Sequence, residues 1–134
     1  FDFNGTTISC YKPVFNHIDT LKQLFSPEFY RCRHGFYNMS AKEVFDHYMN
    51  FGIYDNLDPC LYYQHGYLLE NHPNYLENGA PSIISYLKNE QTFEINPSIF
   101  FDVRFYAQNY PDLANINSFL AHYVKHGSAE GRTP

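Results

Sequence analysis

The chain has 134 residues, a length that fits one domain able to bury a hydrophobic core. Nine Lys and Arg against fourteen Asp and Glu give a formal net charge of −5. This balance argues against nucleic acid or an anionic membrane surface as the main partner. The 13 Tyr and 13 Phe, with no Trp, predict a core lined by Phe and a surface carrying exposed Tyr. No apolar run approaches the roughly 20 residues that a transmembrane helix needs.

Residues 1–24 stand apart from the rest as an N-terminal extension that caps the fold. Residues 1–8 are compatible with a short hairpin around an Asn-Gly turn. This end lacks the basic segment followed by an apolar one that marks a signal peptide, and it lacks an initial Met, so we expect a piece of a longer protein. Residues 16–24 predict a helix that caps the first of the repeat units described next, with Ile18, Leu21 and Leu24 facing inward.

From residue 25 onward the sequence repeats itself. Shifted by about 75 residues, the last segment of the chain aligns with 25–59; shifted by about 37, it aligns more weakly with 60–97. The register predicts three units at about 25–59, 60–97 and 98–134, each built from two short helices. Since neither helix can bury its apolar face alone, we predict an all-α fold in which successive units stack.

Capping residues mark where the helices begin. Ser26 precedes Pro27 and Glu28, an N-cap with proline and an acid in the first turn, and Asp102 takes the cap position in the third unit. Ser40 and Glu43 form a capping box at the start of the second helix of the first unit. The predicted stops of the first helices are Gly35, Pro73 and Pro111.

The second helix of each unit carries an apolar stripe. Gly52 and Gly127 follow the stripes of the outer units, where they suit a left-handed residue just past a helix end. The spacing puts the stripe on one helical face. Its members are Val44, Phe45, Tyr48 and Met49 in the first unit, Ile83, Tyr86 and Leu87 in the second, and Phe119, Leu120, Tyr123 and Val124 in the third.

The third unit carries the clearest motif in the chain. Its residues are Phe101, Asp102, Phe105, Tyr106, Asn109, Pro111, Asp112 and Leu113, then His122, Tyr123, Gly127, Glu130, Gly131, Arg132 and Pro134. The pattern resembles a bacterial tandem repeat of the form FDxxYYLxxNPDV…HYxxxGxxEGRxP. Such repeats occur beside glycosyltransferase domains of capsule and lipopolysaccharide biosynthesis, and in some secreted calcium-repeat proteins. The resemblance covers about 110 residues and is specific in the last third.

The other two units depart from this motif. The segment 55–57 (Asp-Asn-Leu) replaces Glu-Gly-Arg in the first unit, and the middle unit has Ser85 where His is expected and Glu90 where Gly is expected. The resemblance implies an accessory, non-catalytic role for the repeats. It implies no particular ligand.

Two histidines four residues apart, His122 and His126, would share one helical face at the spacing of metal ligands. No HExxH motif or nearby acid pair completes a zinc site. The alternative, which we favour, is a core His122 bonded to a backbone carbonyl and a solvent-exposed His126 near a helix C-terminus. Cys32 lies two residues before His34, yet no third group orients them for nucleophilic catalysis.

Cys10, Cys32 and Cys60 cannot all pair within the chain, and we expect free thiols rather than a disulfide. Sequons at Asn4 and Asn38 carry little weight without a secretory signal.

Arg132 has two interpretations. It either pairs with a local acid in a turn or forms part of a polar ligand edge. The aromatic pairs Phe29–Tyr30 and Phe105–Tyr106 are assigned mainly to the core. Because consecutive helical residues point about 100° apart, one member of a pair can be buried while the next lies where two units meet. The remaining candidates for partner or sugar contact are Tyr54, Tyr62, Tyr63 and Tyr110, with His126 and Arg132 beside them.

The sequence therefore predicts a non-catalytic interaction module of a larger bacterial protein, with a glycosyltransferase of capsule or lipopolysaccharide biosynthesis as the expected parent. The alternative is a carbohydrate-binding module that uses the exposed tyrosines. We expect no cofactor, no metal and no nucleic acid. The expected partner is a protein or the parent chain, with a polysaccharide as the second choice, and the expected location is cytoplasmic, with any membrane association arising through the parent protein.

Overall fold

A computed structural model describes residues 16–134, and over that range the chain is all-α, as predicted. The only β-contact in this range is an isolated bridge between Ser98 and Phe101. The seven helices are α1 Ile18–Leu24, α2 Pro27–His34, α3 Ala41–His47, α4 His65–Asn71, α5 Ser82–Asn89, α6 Val103–Asn109 and α7 Phe119–His122. The hairpin predicted in residues 1–8 lies outside the described residues, and the number of repeats stays a prediction.

Short segments of other helical types extend these helices. Two π-helical segments, Tyr48–Gly52 and Tyr123–Gly127, continue α3 and α7 without a break. Short 3-10 turns follow α4, α5 and α6 at Pro73–Tyr75, Glu90–Thr92 and Pro111–Leu113. The outer two predicted units therefore end their second helix in a π-segment, whereas the middle unit ends its second helix in a 3-10 turn.

The predicted helix starts and stops are confirmed. The Ser26 hydroxyl accepts from the backbone N–H of Phe29 at 3.3 Å, and the Asp102 carboxylate accepts from Phe105 at 3.1 Å. The capping box at the start of α3 is complete, with Glu43 bonded back to Ser40. Helix α2 ends at a left-handed Gly35 (φ 81°), and α4 and α6 end two residues before their prolines. Each signal acts within one helical turn, so the surrounding fold does not alter it.

The assignment of Gly52 and Gly127 to left-handed positions is wrong. Both glycines lie inside the π-segments, and the left-handed residues follow four positions later at Asn56 (φ 57°) and Gly131 (φ 78°). Glycine is required at Gly52 and Gly127 by close packing instead. A methyl group on Gly52 would lie far inside van der Waals contact of the Tyr30 hydroxyl, and one on Gly127 would overlap the hydroxyl of Tyr106 in the same way.

The core is built mainly from tyrosine, which reverses the predicted division between Phe inside and Tyr outside. Five of the largest fully buried side chains are tyrosines, and Phe101 is the one phenylalanine among them. Phe51, Phe100 and Phe105 are instead exposed. The buried tyrosines are Tyr30, Tyr48, Tyr63, Tyr86 and Tyr106. A tyrosine ring can be buried in a core when its hydroxyl finds a polar partner there, and at least four of these five have one.

Helix α1 makes its most extensive contacts with α7 and the π-segment Tyr123–Gly127. The N-terminal helix therefore lies against the third predicted unit, not only the first, as the capping assignment implied. Leu21 and Leu24 are fully buried as predicted, but Ile18 is 39% exposed and does not face the core. One cluster of buried side chains extends from Leu21 to Tyr123, so the helix pairs share a common core.

Hydrogen bonds join successive predicted units at corresponding positions. The carboxylate of Asp58 accepts from the backbone N–H of His65, the first residue of α4, at 2.9 Å. The amide oxygen of Asn96 accepts in the same way from Val103, the first residue of α6, at 3.0 Å. In both cases the residue before the last proline of one unit caps the first helix of the next. The first unit needs no such cap, because α2 begins with Pro27, which has no N–H.

Candidate functional site

The six predicted contact residues do not form one surface. Tyr63 is only 1% exposed, so its assignment as an exposed contact is wrong. Its hydroxyl lies 2.5 Å from Ser82 Oγ, which supplies the polar partner that a buried tyrosine requires. The position was misjudged because Tyr63 packs against residues about twenty positions later in the chain, Ser82 and Tyr86, and its local sequence does not describe these contacts.

Two further tyrosines are half-buried and engaged within the fold. Tyr62 packs edge-on against Tyr123, with ring centroids 5.0 Å apart. A hydrogen bond to Tyr123 is the main cause that raises the pKa of Tyr62. Tyr110 lies between the Tyr106 ring and the Arg132 guanidinium, which sits 4.8 Å from its ring centre. Of the four predicted tyrosines, Tyr54 is the exposed one, at 41%.

The predicted polar edge around Arg132 is a closed network of local ion pairs. Two guanidinium nitrogens donate to the carboxylate of Asp112 at 2.9 and 3.1 Å, and a third donates to Glu130 at 2.8 Å. The hydrogen bond from Arg132 holds the pKa of Asp112 below its usual value. This geometry corresponds to the interpretation in which Arg132 pairs with local acids, and it leaves few guanidinium donors for a ligand.

A tyrosine and a histidine are bonded in the same way in both outer units, and we call each pair a Tyr–His clamp. Tyr30 Oη and His47 Nδ1 are 2.8 Å apart in the first unit, and Tyr106 Oη and His122 Nδ1 are 2.8 Å apart in the third. The clamp joins the first helix of a unit to the second. The glycine described above, Gly52 or Gly127, leaves room for the hydroxyl.

This arrangement corrects the expectation that His122 bonds a backbone carbonyl, because its partner is the Tyr106 hydroxyl. Burial, followed by the nearby Arg132, lowers the pKa of His122. His126 is exposed, and its ring centre lies 5.8 Å from that of His122. Within residues 16–134 no group of three or more His, Cys, Asp or Glu side chains is arranged to hold a metal ion.

In the middle unit all three members of the clamp arrangement are replaced. Leu68 stands at the tyrosine position, Ser85 at the histidine position and Glu90 at the glycine position. Glu90 is 1% exposed, and burial raises the pKa of its carboxyl group. In the sequence, Ser85 and Glu90 were visible only as departures from the repeat motif.

The Glu90 carboxylate is the main polar link between the second and third units. It accepts from the backbone N–H groups of Phe119 and Leu120, both at 3.0 Å, and thereby caps the start of α7. It also accepts from the hydroxyls of Tyr86 at 2.6 Å and Ser118 at 3.2 Å. A carboxylate with four donors at a helix N-terminus is well satisfied although it is buried. Glu90 therefore has a structural role, which explains why the middle unit departs from the motif.

A serine–histidine pair that sequence reasoning did not identify lies within the second predicted unit, between its two helices. Ser82 Oγ is 2.8 Å from His65 Nδ1, a distance that suits a nucleophile and its base. However, Ser82 is 3% exposed, and its hydroxyl also contacts Tyr63. The nearby Asp58 bonds the backbone N–H of His65, not its ring. A substrate carbonyl cannot reach this hydroxyl in the observed arrangement, so the pair serves packing.

The cysteine chemistry considered from sequence is also not assembled. Cys32 is exposed and Cys60 is buried, and both are free thiols; Cys10 lies outside the described residues. Burial raises the pKa of the Cys60 thiol to about 12, which keeps it protonated and inert. His34 Nε2 contacts the carbonyl oxygen of Asp58 at 3.1 Å, so this histidine is engaged away from Cys32.

An exposed apolar patch lies where the second and third predicted units meet. Leu61 is 45% exposed, Ile99 69% and Phe100 45%. Hydrogen bonds of Gln64 hold the two segments side by side, since its N–H donates to Pro97 at 2.8 Å and its side-chain oxygen accepts from Ile99 at 3.2 Å. We call Leu61, Ile99 and Phe100 the seam patch. Its backbone is fixed on both sides although its side chains are exposed.

Comparisons with known proteins yield no match to a protein-family model, a curated protein or a solved structure. None of the helices in the described part of the chain is long and apolar enough to span a bilayer.

Proposed function

We propose that this chain is a non-catalytic interaction module of a larger bacterial protein and that it uses the seam patch to bind a protein partner. The observation that carries the proposal is the exposure of Leu61, Ile99 and Phe100 at one place on a fixed backbone. Large apolar side chains grouped on a surface are typical of protein–protein contact sites. The resemblance of the third unit to repeats found beside glycosyltransferases supports a parent protein of that class.

The buried polar residues also support a non-catalytic role, because they are engaged within the fold. The histidines of both clamps, the buried Glu90 and the Ser82 hydroxyl all have partners inside the fold. These groups stabilise helix–helix contacts, and their positions give each a structural explanation. The module would then act by arranging partners around the catalytic part of its parent.

Site-specific photo-crosslinking in the full-length parent protein tests this proposal. A photoreactive side chain at Ile99 is expected to crosslink to one partner protein. Leu69 is the matched control, because it is 56% exposed and apolar but lies on α4. Changing Phe100→Asp should remove the crosslink at Ile99, since a carboxylate cannot be buried in an apolar contact without a large cost.

A second readout tests the accessory role. Phe100→Asp should lower the amount of surface polysaccharide in cells while the sugar-transfer rate of the purified parent protein stays unchanged. Equal crosslinking from Ile99 and Leu69, or a transfer rate that falls together with the polysaccharide, would contradict the proposal.

The carbohydrate-binding alternative has weaker support. Of the tyrosines on which it depended, Tyr54 is exposed, whereas Tyr62 and Tyr110 are half-buried and Tyr63 is in the core. A glycan array on which the chain binds one polysaccharide, with binding lost in Tyr54→Ala, would restore this alternative.

A further inference from the structure

The geometry points to a second docking site, a groove between α1, α2 and α3 that receives an apolar side chain followed by a carboxylate from a protein partner. This inference rests on the proposed function, because it assigns a second contact to the same interaction module. The groove has a volume of about 570 Å³ and is open to solvent. Its lining residues are Lys22, Phe25, Pro27, Ala41, Lys42, Phe45 and Asp46.

The floor of the groove is apolar. Phe25 forms its base, is 7% exposed and packs against Phe45 with ring centroids 5.2 Å apart. Phe45 and Pro27 are half-buried, and Ala41 is exposed at the start of α3. A volume of this size falls within the usual range for ligand pockets and accommodates one large side chain with room for the adjoining backbone.

The positions that align with Phe25 and Phe45 are buried in the other two predicted units. In the second unit Tyr63 and Ile83 align with Phe25 and Phe45, and they are 1% and 2% exposed. In the third unit the equivalent residues are likewise buried; they are Phe101, Val103 and Leu120. The two aligned positions are therefore buried in the second and third units, whereas Phe45 is half-buried in the first. In the first unit the groove at these positions remains accessible, with an apolar floor.

The caps of the first unit show that an occupant need not complete a helix. The second helix of the second unit is capped from the first unit, because the Asn56 side chain accepts from the backbone N–H of Ser82 at 2.9 Å. The second helix of the third unit, α7, is capped from the second unit by Glu90. The start of α3 is instead capped by its own Ser40 and Glu43. The occupant of the groove has only to cover the apolar floor and match the charges at its rim.

Those charges favour an anionic partner. Lys42 and Asp46 neutralise each other through a 2.9 Å ion pair. Lys22 makes no ion pair or hydrogen bond to any side chain in 16–134, so the rim carries one unneutralised positive charge on a chain whose formal net charge is −5. A carboxylate beside the buried apolar side chain would complement Lys22, whereas a second cation would be repelled.

Amide chemical shifts of the whole chain, titrated with synthetic peptides, test the inference. The probe is an acetylated and amidated tetrapeptide, Gly-Phe-Asp-Gly, compared with Gly-Phe-Asn-Gly and Gly-Ala-Asp-Gly. We expect the first peptide to shift the resonances of Phe25, Ala41 and Phe45. The Asn peptide should bind about 2–5-fold more weakly, as for an exposed ion pair, and the Ala peptide at least about 10-fold more weakly because it lacks the buried ring.

Two variants locate the site. Lys22→Gln should remove the preference for Asp over Asn while binding of the Phe ring persists. Ala41→Gln should fill the groove and reduce binding at least about 10-fold, whereas the matched control Ala129→Gln, also at an exposed alanine, should bind as the wild type does. Both variants lie on the surface, and thermal unfolding checks that they are folded.

Absence of shifts at these three residues with millimolar peptide would overturn the inference, as would equal binding of the Asp and Asn peptides. Occupation of the groove by a second copy of the chain would appear as concentration-dependent shifts without peptide, and that result would also overturn it. The crosslink at Ile99 does not depend on this groove, so either proposal can fail while the other stands.

Discussion

Changing Gly127→Ala should destabilise the protein, although glycine-to-alanine changes inside helices usually stabilise. Alanine normally gains about 0.5–1 kcal/mol over glycine in a helix, because glycine loses more backbone freedom on folding. Gly127 lies in the π-segment that continues α7, and an added methyl group would overlap the hydroxyl of Tyr106. Tyr106 is fully buried, so its ring cannot move aside without disturbing the core.

The size of the effect follows from what must be displaced. Moving the Tyr106 hydroxyl breaks its 2.8 Å contact with His122 Nδ1, which leaves a buried polar atom without a partner. That loss costs about 1–3 kcal/mol, and overpacking adds about 1–3 kcal/mol. Set against the gain in helix propensity, the expected loss of unfolding free energy is about 2–4 kcal/mol.

A double-mutant cycle isolates the proposed cause. Tyr106→Phe removes the hydroxyl and should itself cost about 1–2 kcal/mol. In that background Gly127→Ala should cost much less, giving a coupling energy of about 2 kcal/mol. A residual cost is expected because Tyr123 Cδ1 lies 3.0 Å from the added methyl position. Urea unfolding followed by tyrosine fluorescence and far-UV circular dichroism measures all four proteins.

Gly66→Ala is the matched control. Gly66 lies in α4, with no atom within 4 Å of the added methyl position, so this change should stabilise by about 0.5 kcal/mol. If Gly127→Ala stabilised as much as Gly66→Ala, or if its cost were unchanged in the Tyr106→Phe background, the close-packing explanation for Gly127 would be refuted.

Three further predictions concern the buried titratable groups. Burial raises the pKa of Glu90, so the stability contributed by this group falls as pH rises from about 4.5 through the raised pKa. Glu90→Gln should therefore gain stability relative to wild type as pH rises above about 4.5, and a difference independent of pH would contradict this. Glu90→Ala should cost about 3–5 kcal/mol in urea unfolding near pH 4.5, where the contribution of Glu90 is largest, since the backbone N–H groups of Phe119 and Leu120 lose their acceptor; a cost below about 1 kcal/mol would refute the capping role. The pKa of His122 is lowered, so stability should fall as pH drops from about 6.5 through the lowered pKa, and His122→Gln should flatten that slope in thermal unfolding; an unchanged slope would assign it to another group.

The helix boundaries could be predicted because their signals are local. Ser26, Ser40 and Asp102 each bond a backbone N–H three residues ahead, and Gly35 ends α2 through its own left-handed conformation. The capping residue fixes such geometry within one turn, whatever packs around it. The apolar stripes of α3, α5 and α7 were predictable for the same reason, since helical periodicity defines which face is buried.

The interior could not be predicted in the same way, because it depends on contacts between residues that are far apart in the chain. Tyr63 is buried and packs against Ser82 and Tyr86, about twenty residues later in the chain, and nothing in its local sequence distinguishes it from the half-buried Tyr62. Gly52 and Gly127 look like helix-ending glycines, yet they are required by tyrosine hydroxyls about twenty residues earlier in the chain. Glu90 looked like simple divergence from the motif, although it caps a helix in the next unit. Long-range polar pairs of this kind have no sequence period.

The central claim is that the helix pairs share one hydrophobic core and unfold together. Native-state hydrogen exchange at the backbone amides of Tyr48, Tyr86 and Tyr123 tests it most directly, because each residue is buried in a different predicted unit. The account predicts that all three amides exchange only through global unfolding, with the same free energy within about 0.5 kcal/mol. Free energies that differ by more than about 2 kcal/mol, with one unit opening independently, would contradict it.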